Sequence, residues 1–549
     1  MKDPLKNKII YQIFPRSFKD ANNDGDGDLL GIVSKLDYLQ SLNIDIIWLC
    51  PIYQTNFIDA GYDVLDYYQI WQPFGTLADF QLLVQEAEKR NIKIMLDIVL
   101  NHTSNQHPWF QKAINDPNSQ EHNYYIWSTK PYNTKSIFGG LAWEYVPSLK
   151  KFYFHLFTKE QPDLNWQAIE TQQAMADVIN YWYNLGVKYF RLDAIQHVHK
   201  EIVDHQLVHS FGTKMVQYLQ SFINLVKKDK NDIYFIGEAS GISPEKAIKY
   251  GLGKDKIADA FFNFSWWWIG WDKKQGRNGY DPNWTIADFV NDALVEYQHN
   301  EQIPSELMFN FLTNHDTARA ISRWGDENVF WAESAKSFAM LQFILKGNIV
   351  ICFGEEIGMI NNFYQSRDQF RDFDVINSFA LLVDQEKYYS EDELIKYHNI
   401  NSRDHSRYPM QWDLSVNYGF NDGHKTWIKL GRHYQPITVA QQEEDDQSIL
   451  NFYRKLIQIR KNLKYQPLLV GGKSNVSYLN NNLIKIVRTN NQQKLIGLIN
   501  ISKHQINDLE HFVYDQIILS SYSDNKPFAF VLRPYESIWF LATENHLNS

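Results

Sequence analysis

The sequence predicts an α/β protein: a closed (β/α)8 TIM barrel carrying an inserted domain after its third strand and an antiparallel β domain at its C-terminal end. Three observations predict it. Apolar runs of strand length alternate with helical patterns through the first two-thirds of the chain. Three acidic residues, Asp193, Glu238 and Asp316, lie at the ends of such runs. After about residue 468 the rhythm changes to short alternating strands. Repeated β-then-α units imply parallel strands with right-handed crossovers. Closing them into a barrel brings distant strand ends onto one face, where barrel enzymes place their chemistry.

The first units read in order. Ile44–Leu49 is an apolar strand run. Thr76 with Asp79 three residues on is a capping-box spacing, and Phe80, Leu83, Val84 and Ala87 follow with helical period. Asn91 can close that helix before the buried run Ile92–Leu100. Met175, Val178, Ile179 and Trp182 mark a second helix face, Gly186 ends it, and Val187–Leu192 is the next strand. Phe222–Val226 leads into Ile233–Ile236, and Phe338–Leu345 with Gly347 into Ile349–Phe353. Two stretches break the rhythm. Residues 103–170, rich in Asn, Pro, Trp and Tyr, read as an insertion overhanging the active face, and 361 to about 447 as a second excursion at the rim. The division is therefore 1–102 with 171–467 for the barrel, 103–170 for the inserted domain, and 468–549 for a C-terminal β-sandwich.

Composition excludes several classes. The 549 residues exceed one compact core. A formal net charge of −10 argues against nucleic acid as a partner. No run approaches the roughly 18 apolar residues of a membrane span, and Met1–Lys8 has no apolar signal region. The two cysteines, Cys50 and Cys352, sit in apolar runs and read as free thiols of a reducing compartment, so a cytoplasmic location is expected. Aromatic residues make up 15% of the chain, which suits a cleft whose ring faces cover the apolar faces of sugars. The sequence does not fix an oligomeric state; a monomer is the default.

A trio of carboxylates with Arg191 and His315 beside them points to glycoside hydrolysis, where one acid is nucleophile and another proton donor. Arg191 and Asp193 are two residues apart on a strand and so share a face. The expectation is that Arg191 keeps Asp193 ionised. The run Asp20-Ala-Asn22-Asn-Asp24-Gly-Asp26-Gly-Asp28 spaces oxygen donors like the start of a calcium loop, although Gly31 at position twelve excludes an EF-hand.

Taken together, Asp97-Ile-Val-Leu-Asn-His102, Tyr189-Phe-Arg-Leu-Asp193, Gly237-Glu238, Asn314-His-Asp316, Gln161-Pro-Asp-Leu-Asn165 and Ser402-Arg-Asp-His-Ser-Arg407, followed by Pro409-Met-Gln-Trp412, carry a family likeness. The chain resembles the α-amylase superfamily (glycoside hydrolase family thirteen), in its oligo-1,6-glucosidase and α-glucosidase branch. The resemblance implies a retaining exo-acting α-glucosidase on small oligosaccharides. Asp193 would be nucleophile, Glu238 general acid/base, and Asp316 a partner of the sugar's 2- and 3-hydroxyls. His102 and His315 would hold the same glucose, with Asp97 in support. Asp59 and Arg403 would pair to grip the terminal 4-hydroxyl, Tyr62 would stack on the ring, and Arg407 would reach the next sugar. Asp20, Asn22, Asp24, Asp28 and the Asp26 carbonyl would bind a structural Ca²⁺. A trehalose-6-phosphate hydrolase is the nearest alternative, and a non-catalytic transporter subunit a distant one. The chain departs from the pattern at Ala194, at Gln196-His197, at Thr317-Ala318-Arg319 and at Phe353, which leaves the linkage preference open.

Overall fold

The computed structural model describes residues 4–543 except 205, 424, 432–434, 480–482, 508, 510–512 and 525–529. Eight strands form the barrel: β1 (Ile9–Ile13), β2 (Ile46–Leu49), β3 (Lys93–Val99), β4 (Tyr189–Asp193), β5 (Tyr234–Gly237), β6 (Ala260–Asn263), β7 (Met308–Asn310) and β8 (Asn348–Cys352). They close in sequence order, with every neighbouring pair parallel and β8 returning to β1. Alternation along each strand divides the apolar residues. Ile46, Trp48, Met95, Ile236 and Val350 fill the barrel interior. Ile47, Leu49, Ile94 and Leu96 face the helices outside.

The local signals hold. Thr76 and Asp79 form a reciprocal capping box on the helix Leu77–Lys89. Asn91 and Gly186 take the left-handed conformation (φ 58° and 99°) that turns each helix end into the following strand. The helix Trp331–Ile344 is buried nearly all round, because the barrel covers one side and the C-terminal sheet the other.

Three excursions build the rim above the strand ends. The first, after β3, contains the helix Pro108–Asn115 and a small sheet of Trp127–Ser128, Trp143–Val146 and Lys151–Phe154. The second follows β6, a length of chain that periodicity does not single out. It holds a run of tryptophans, a hairpin (Trp271–Asp272 with Gly276–Tyr280) and a helical stretch ending at Gln298. The third, after β8, is more helical than its composition suggests, with Phe373–Ser378, the π-helical Phe379–Gln385 and Glu391–Asn401.

Of the span 468–549, the described residues form a five-stranded antiparallel sheet from Lys473 to Thr543. Its second layer among the described residues is the bridge Ile506–Leu532. Ile484, Ile486 and Trp539 pack into the main core, and Leu483, Leu498 and Phe540 pack beneath Ile506 and Leu532. Ser337 donates to the Asn500 carbonyl at 2.9 Å and fastens the sheet to the barrel. Among the described residues no helix is long and apolar enough to cross a membrane.

Candidate active site

The strand ends supply the centre. In the β3–β4 register Asp97 lies opposite Arg191 and Val99 opposite Asp193, so the three charged side chains point into the barrel mouth while their neighbours face the helices. Arg191 is 1% exposed. Its Nη1 donates to Asp97 Oδ1 at 2.7 Å and to Asp193 Oδ1 at 2.6 Å, and its Nη2 lies 2.9 Å from Glu238 Oε2. Directly after Asp193 the chain turns through Ala194 in the left-handed conformation, φ 49°. That turn aims the Ala194 N–H at Glu238 Oε2, 2.9 Å away. Glu238 is reached through Gly237, where a Cβ would stand 2.6 Å from Ile195 and 3.1 Å from Phe261. A side chain there would have to displace the Ile195 Cδ1 methyl and press on the Phe261 ring, so glycine lets β5 pack closely as Glu238 shares the guanidinium.

One expectation is corrected here. Burial pushes the Asp193 carboxyl well above the usual carboxylate range. Arg191 opposes this, and the charges of Glu238 and Asp97 add to it. One guanidinium serves three buried carboxylates, so it does not by itself hold Asp193 low.

Asp316 is held the other way. Burial works against its ionisation, yet His315, Arg403 and Arg407 together keep it well below the usual range. Arg407 Nη2 and Arg403 Nη1 stand 2.9 and 3.2 Å from its Oδ1, and His315 Nε2 lies 3.2 Å from Oδ2. Arg407 also donates from Nε to the His315 carbonyl at 2.7 Å and is buried. Its guanidinium is therefore committed to positioning Asp316 and does not extend towards a second sugar.

Tyr62 and His315 stack, with ring centroids 5.2 Å apart and planes 13° from parallel. The Tyr62 hydroxyl donates to Asp97 Oδ2 at 2.9 Å and meets His315 Nε2 at 2.6 Å. Gln12, from β1, donates to His315 Nδ1 at 2.7 Å. His102 lies against the Tyr62 carbonyl and Gln161, and burial pushes its imidazole down to about 4, so it is neutral at physiological pH.

The Asp59–Arg403 pair is present: Nη2 to Oδ1 is 3.3 Å, with Gln161 donating to Asp59 Oδ2 at 3.2 Å. The stronger partner of Arg403 is Asp372, at 2.5 and 2.8 Å. Asp372 is missed by motif reading, because nothing local marks one aspartate in the third excursion. Phe138, from the first excursion, lies under the guanidiniums of Arg403 and Arg277, 5.6 and 6.0 Å from their carbons. Asp59, Arg403, Arg277 and Phe138 line a cavity of about 370 Å³ together with Asp193, Glu238, Asp316 and Tyr62 and with Trp267, Trp268 and Trp271.

The Asp20–Asp28 loop lies on another part of the barrel rim. Asn22, Asp24 and Asp26 each donate their N–H to the side chain two residues back, at 3.1, 2.9 and 2.9 Å. Asp28 caps the helix Leu29–Ser34, and the Asp26 side chain turns to Arg16 at 2.5 Å. Asp26 is thus left to offer its carbonyl only. Among the described residues no three His, Cys, Asp or Glu side chains are grouped to hold a metal.

A closed parallel barrel with three carboxylates and two arginines around a blind cavity defines a class of sugar-processing enzyme. Residues 12–468 match the alpha-amylase catalytic domain, and the chain belongs to that family. It is 34% identical to an oligo-1,6-glucosidase of Parageobacillus thermoglucosidasius over 94% of each chain. It is 38% identical to a glucan 1,6-alpha-glucosidase of Streptococcus pneumoniae over 83% of this chain and 84% of that one. The crystal structure of Bacillus licheniformis trehalose-6-phosphate hydrolase superposes with a TM-score of 0.88 at 31% identity, covering 98% of this chain and all of that one.

Proposed function

We propose that the protein is a retaining exo-acting α-glucosidase releasing terminal glucose from short α-1,6- and α-1,4-linked oligosaccharides. The observation that carries this reading is the single guanidinium of Arg191 bridging Asp193 and Glu238 at the end of a blind cavity. The site's proton is placed on Glu238, so that its charge no longer opposes the ionisation of Asp193 beside Arg191. In the first step the Asp193 carboxylate attacks C1 while Glu238 gives its proton to the departing glycosidic oxygen, and the C1–O bond breaks. In the second, Glu238 takes a proton from water, the hydroxide attacks C1, and Asp193 leaves with its electron pair. Two inversions at C1 give net retention. Asp316, kept ionised by its three cationic or hydrogen-bonding neighbours, accepts from the ring hydroxyls, and Asp59 with Arg403 blocks the cavity beyond the terminal sugar. The test is turnover of isomaltose, maltose, sucrose, trehalose and trehalose-6-phosphate compared by kcat/KM. Isomaltose or maltose is expected to lead. The phosphorylated substrate is expected to be poor because Arg277, which lines the cavity, is already paired with Asp374 at 2.5 Å.

Ala194 lines the cavity beside Asp193. A methyl side chain leaves room for the closer second ring of an α-1,4 linkage, and one or two methylenes change discrimination by about 1–3 kcal/mol. Ala194→Val is expected to lower kcat/KM for maltose more than for isomaltose. Valine is strained at φ 49°, so the variant will be less stable. The ratio of the two substrates in one preparation is independent of how much protein is folded. An unchanged ratio shows that this residue does not set linkage.

A structural Ca²⁺ in the Asp20–Asp28 loop belongs to the same reading. Its support is the donor chemistry: oxygens of Asp20, Asn22, Asp24 and Asp28 with the carbonyl of Asp26. Asp20 accepts from the N–H groups of Asn22, Asn23 and Gly25 and from the Asn421 amide, and Asp28 from those of Ala21, Asn22 and Gly31, so a cation would have to displace some of these donors. Chelation is expected to lower the melting temperature with kcat unchanged at permissive temperature, since a ligand bound only by the folded form stabilises it. No bound calcium by elemental analysis and an unmoved transition would leave the loop as a hydrogen-bonded turn. A cytoplasmic location fits the two buried free thiols, Cys50 and Cys352.

A further inference from the structure

We propose that Gln12, from β1, is a positioning residue for the reaction: it holds His315 with its proton on Nε2, and through His315 it orients Asp316 towards the sugar. The inference rests on the α-glucosidase reading and adds to it a residue that none of the sequence motifs contains. Gln12 is completely buried and shares the face of β1 that carries Ile10, so it points into the barrel interior. It does not line the catalytic cavity, so any effect it has on substrate passes through another side chain. An amide in this place is costly. Its Oε1 finds no partner, while its Nε2 lies 2.7 Å from His315 Nδ1 and 3.4 Å from Cys50 Sγ. An apolar side chain of that length would fill the space without an orphaned oxygen, so what the amide contributes is its N–H.

The neighbours of His315 decide which atoms donate. Asp316 is held ionised and can only accept, and its Oδ2 lies 3.2 Å from His315 Nε2. Asp97 Oδ2 takes the Tyr62 proton at 2.9 Å, so the Tyr62 oxygen, 2.6 Å from the same Nε2, accepts as well. Both contacts need a proton on Nε2. Nδ1 is then a buried acceptor, and the Gln12 N–H is the donor that meets it. Turned over, the amide would set its oxygen against Nδ1 and leave both N–H groups where Oε1 now finds no partner. Packing already fixes the place of the ring, since Tyr62 stacks on it and Trp48 meets it edge-on with centroids 5.7 Å apart. What packing cannot set is which nitrogen carries the proton, and Gln12 sets that.

The experiment measures kcat/KM of the wild type, Gln12→Met and Gln12→Glu on 4-nitrophenyl α-glucoside and on its 2-deoxy analogue, which lacks a hydroxyl assigned to Asp316. Gln12→Met keeps the length of the side chain and loses the donor. It should lower kcat/KM on the glucoside by roughly tenfold, the worth of one hydrogen bond. On the 2-deoxy substrate the loss should be no more than about threefold, because the contact through which Gln12 acts is absent there. The ratio of the two substrates in one preparation is independent of how much protein is folded. Gln12→Glu offers an acceptor in place of the donor and should shift the ratio at least as far. A glutamine that serves only the fold costs both substrates equally. Equal losses, no loss in Gln12→Met, or a wild-type ratio in Gln12→Glu overturns the proposal, while wild-type turnover of the glucoside upholds the parent reading. No wild-type turnover of any α-glucoside overturns both.

Discussion

Asp193→Asn is expected to lower kcat by at least ~10³-fold, because the amide cannot form the glucosyl-enzyme bond. The same change should raise stability at pH 7. A carboxyl whose folded value lies above its unfolded one gives stability that is full below the unfolded pKa, about 3.9, and is lost as pH rises through the folded value. Asp193 is such a group, raised by burial and by Glu238 and Asp97. The asparagine variant should therefore melt higher than wild type at pH 7, and the gap should close below about pH 4. Higher stability with lost activity separates a chemical role from a structural one. Glu238→Gln should also lose ~10³-fold on sugar leaving groups, but far less on an aryl α-glucoside, whose leaving oxygen needs no proton. Residual activity above about a tenth in both variants on isomaltose would remove these residues from the chemistry.

Arg191→Met is expected to be the most destabilising single change at the centre, costing about 3–5 kcal/mol at neutral pH. It leaves Asp97, Asp193 and Glu238 buried around an apolar side chain with their shared partner gone. Because burial raises Asp97 and Asp193, the strain is relieved by protonation, so the deficit should shrink as pH falls. Adding Asp97→Asn to Arg191→Met should recover part of the loss, since adjacent sites sharing a partner are not additive. A deficit independent of pH, measured by denaturant midpoint, would mean that the arginine acts by packing alone.

The barrel is legible in the sequence because strands buried on both faces read as continuous apolar runs, and because a carboxylate closing such a run stands out. Asp193 and Glu238 are legible for that reason, and Asp59 and Arg403 through the motifs that flank them. Asp372 is not, since its contact with Arg403 is set by how the third excursion folds back on itself. Arg407 carries the right charge, but its direction is fixed by the His315 carbonyl, which no spacing rule reveals. The upward push on the Asp193 carboxyl depends on how three carboxylates share one buried cation, a property of the assembled barrel mouth. The tryptophan run after β6 is visible in the sequence as composition, but that Trp267, Trp268 and Trp271 line the catalytic cavity appears only when the excursion is folded over β6.

The central claim, that Asp193 is the nucleophile of a retaining α-glucosidase, is tested most directly by trapping the intermediate. The enzyme is incubated with 5-fluoro-α-glucosyl fluoride, which forms the covalent intermediate faster than it hydrolyses, and the digested protein is sequenced by mass spectrometry. The account predicts one fluoroglucosyl group on the peptide containing Tyr189-Phe-Arg-Leu-Asp193, carried by Asp193, and none in Asp193→Asn. A label on another residue, or no label together with β-glucose as the first product anomer seen by NMR, would contradict it.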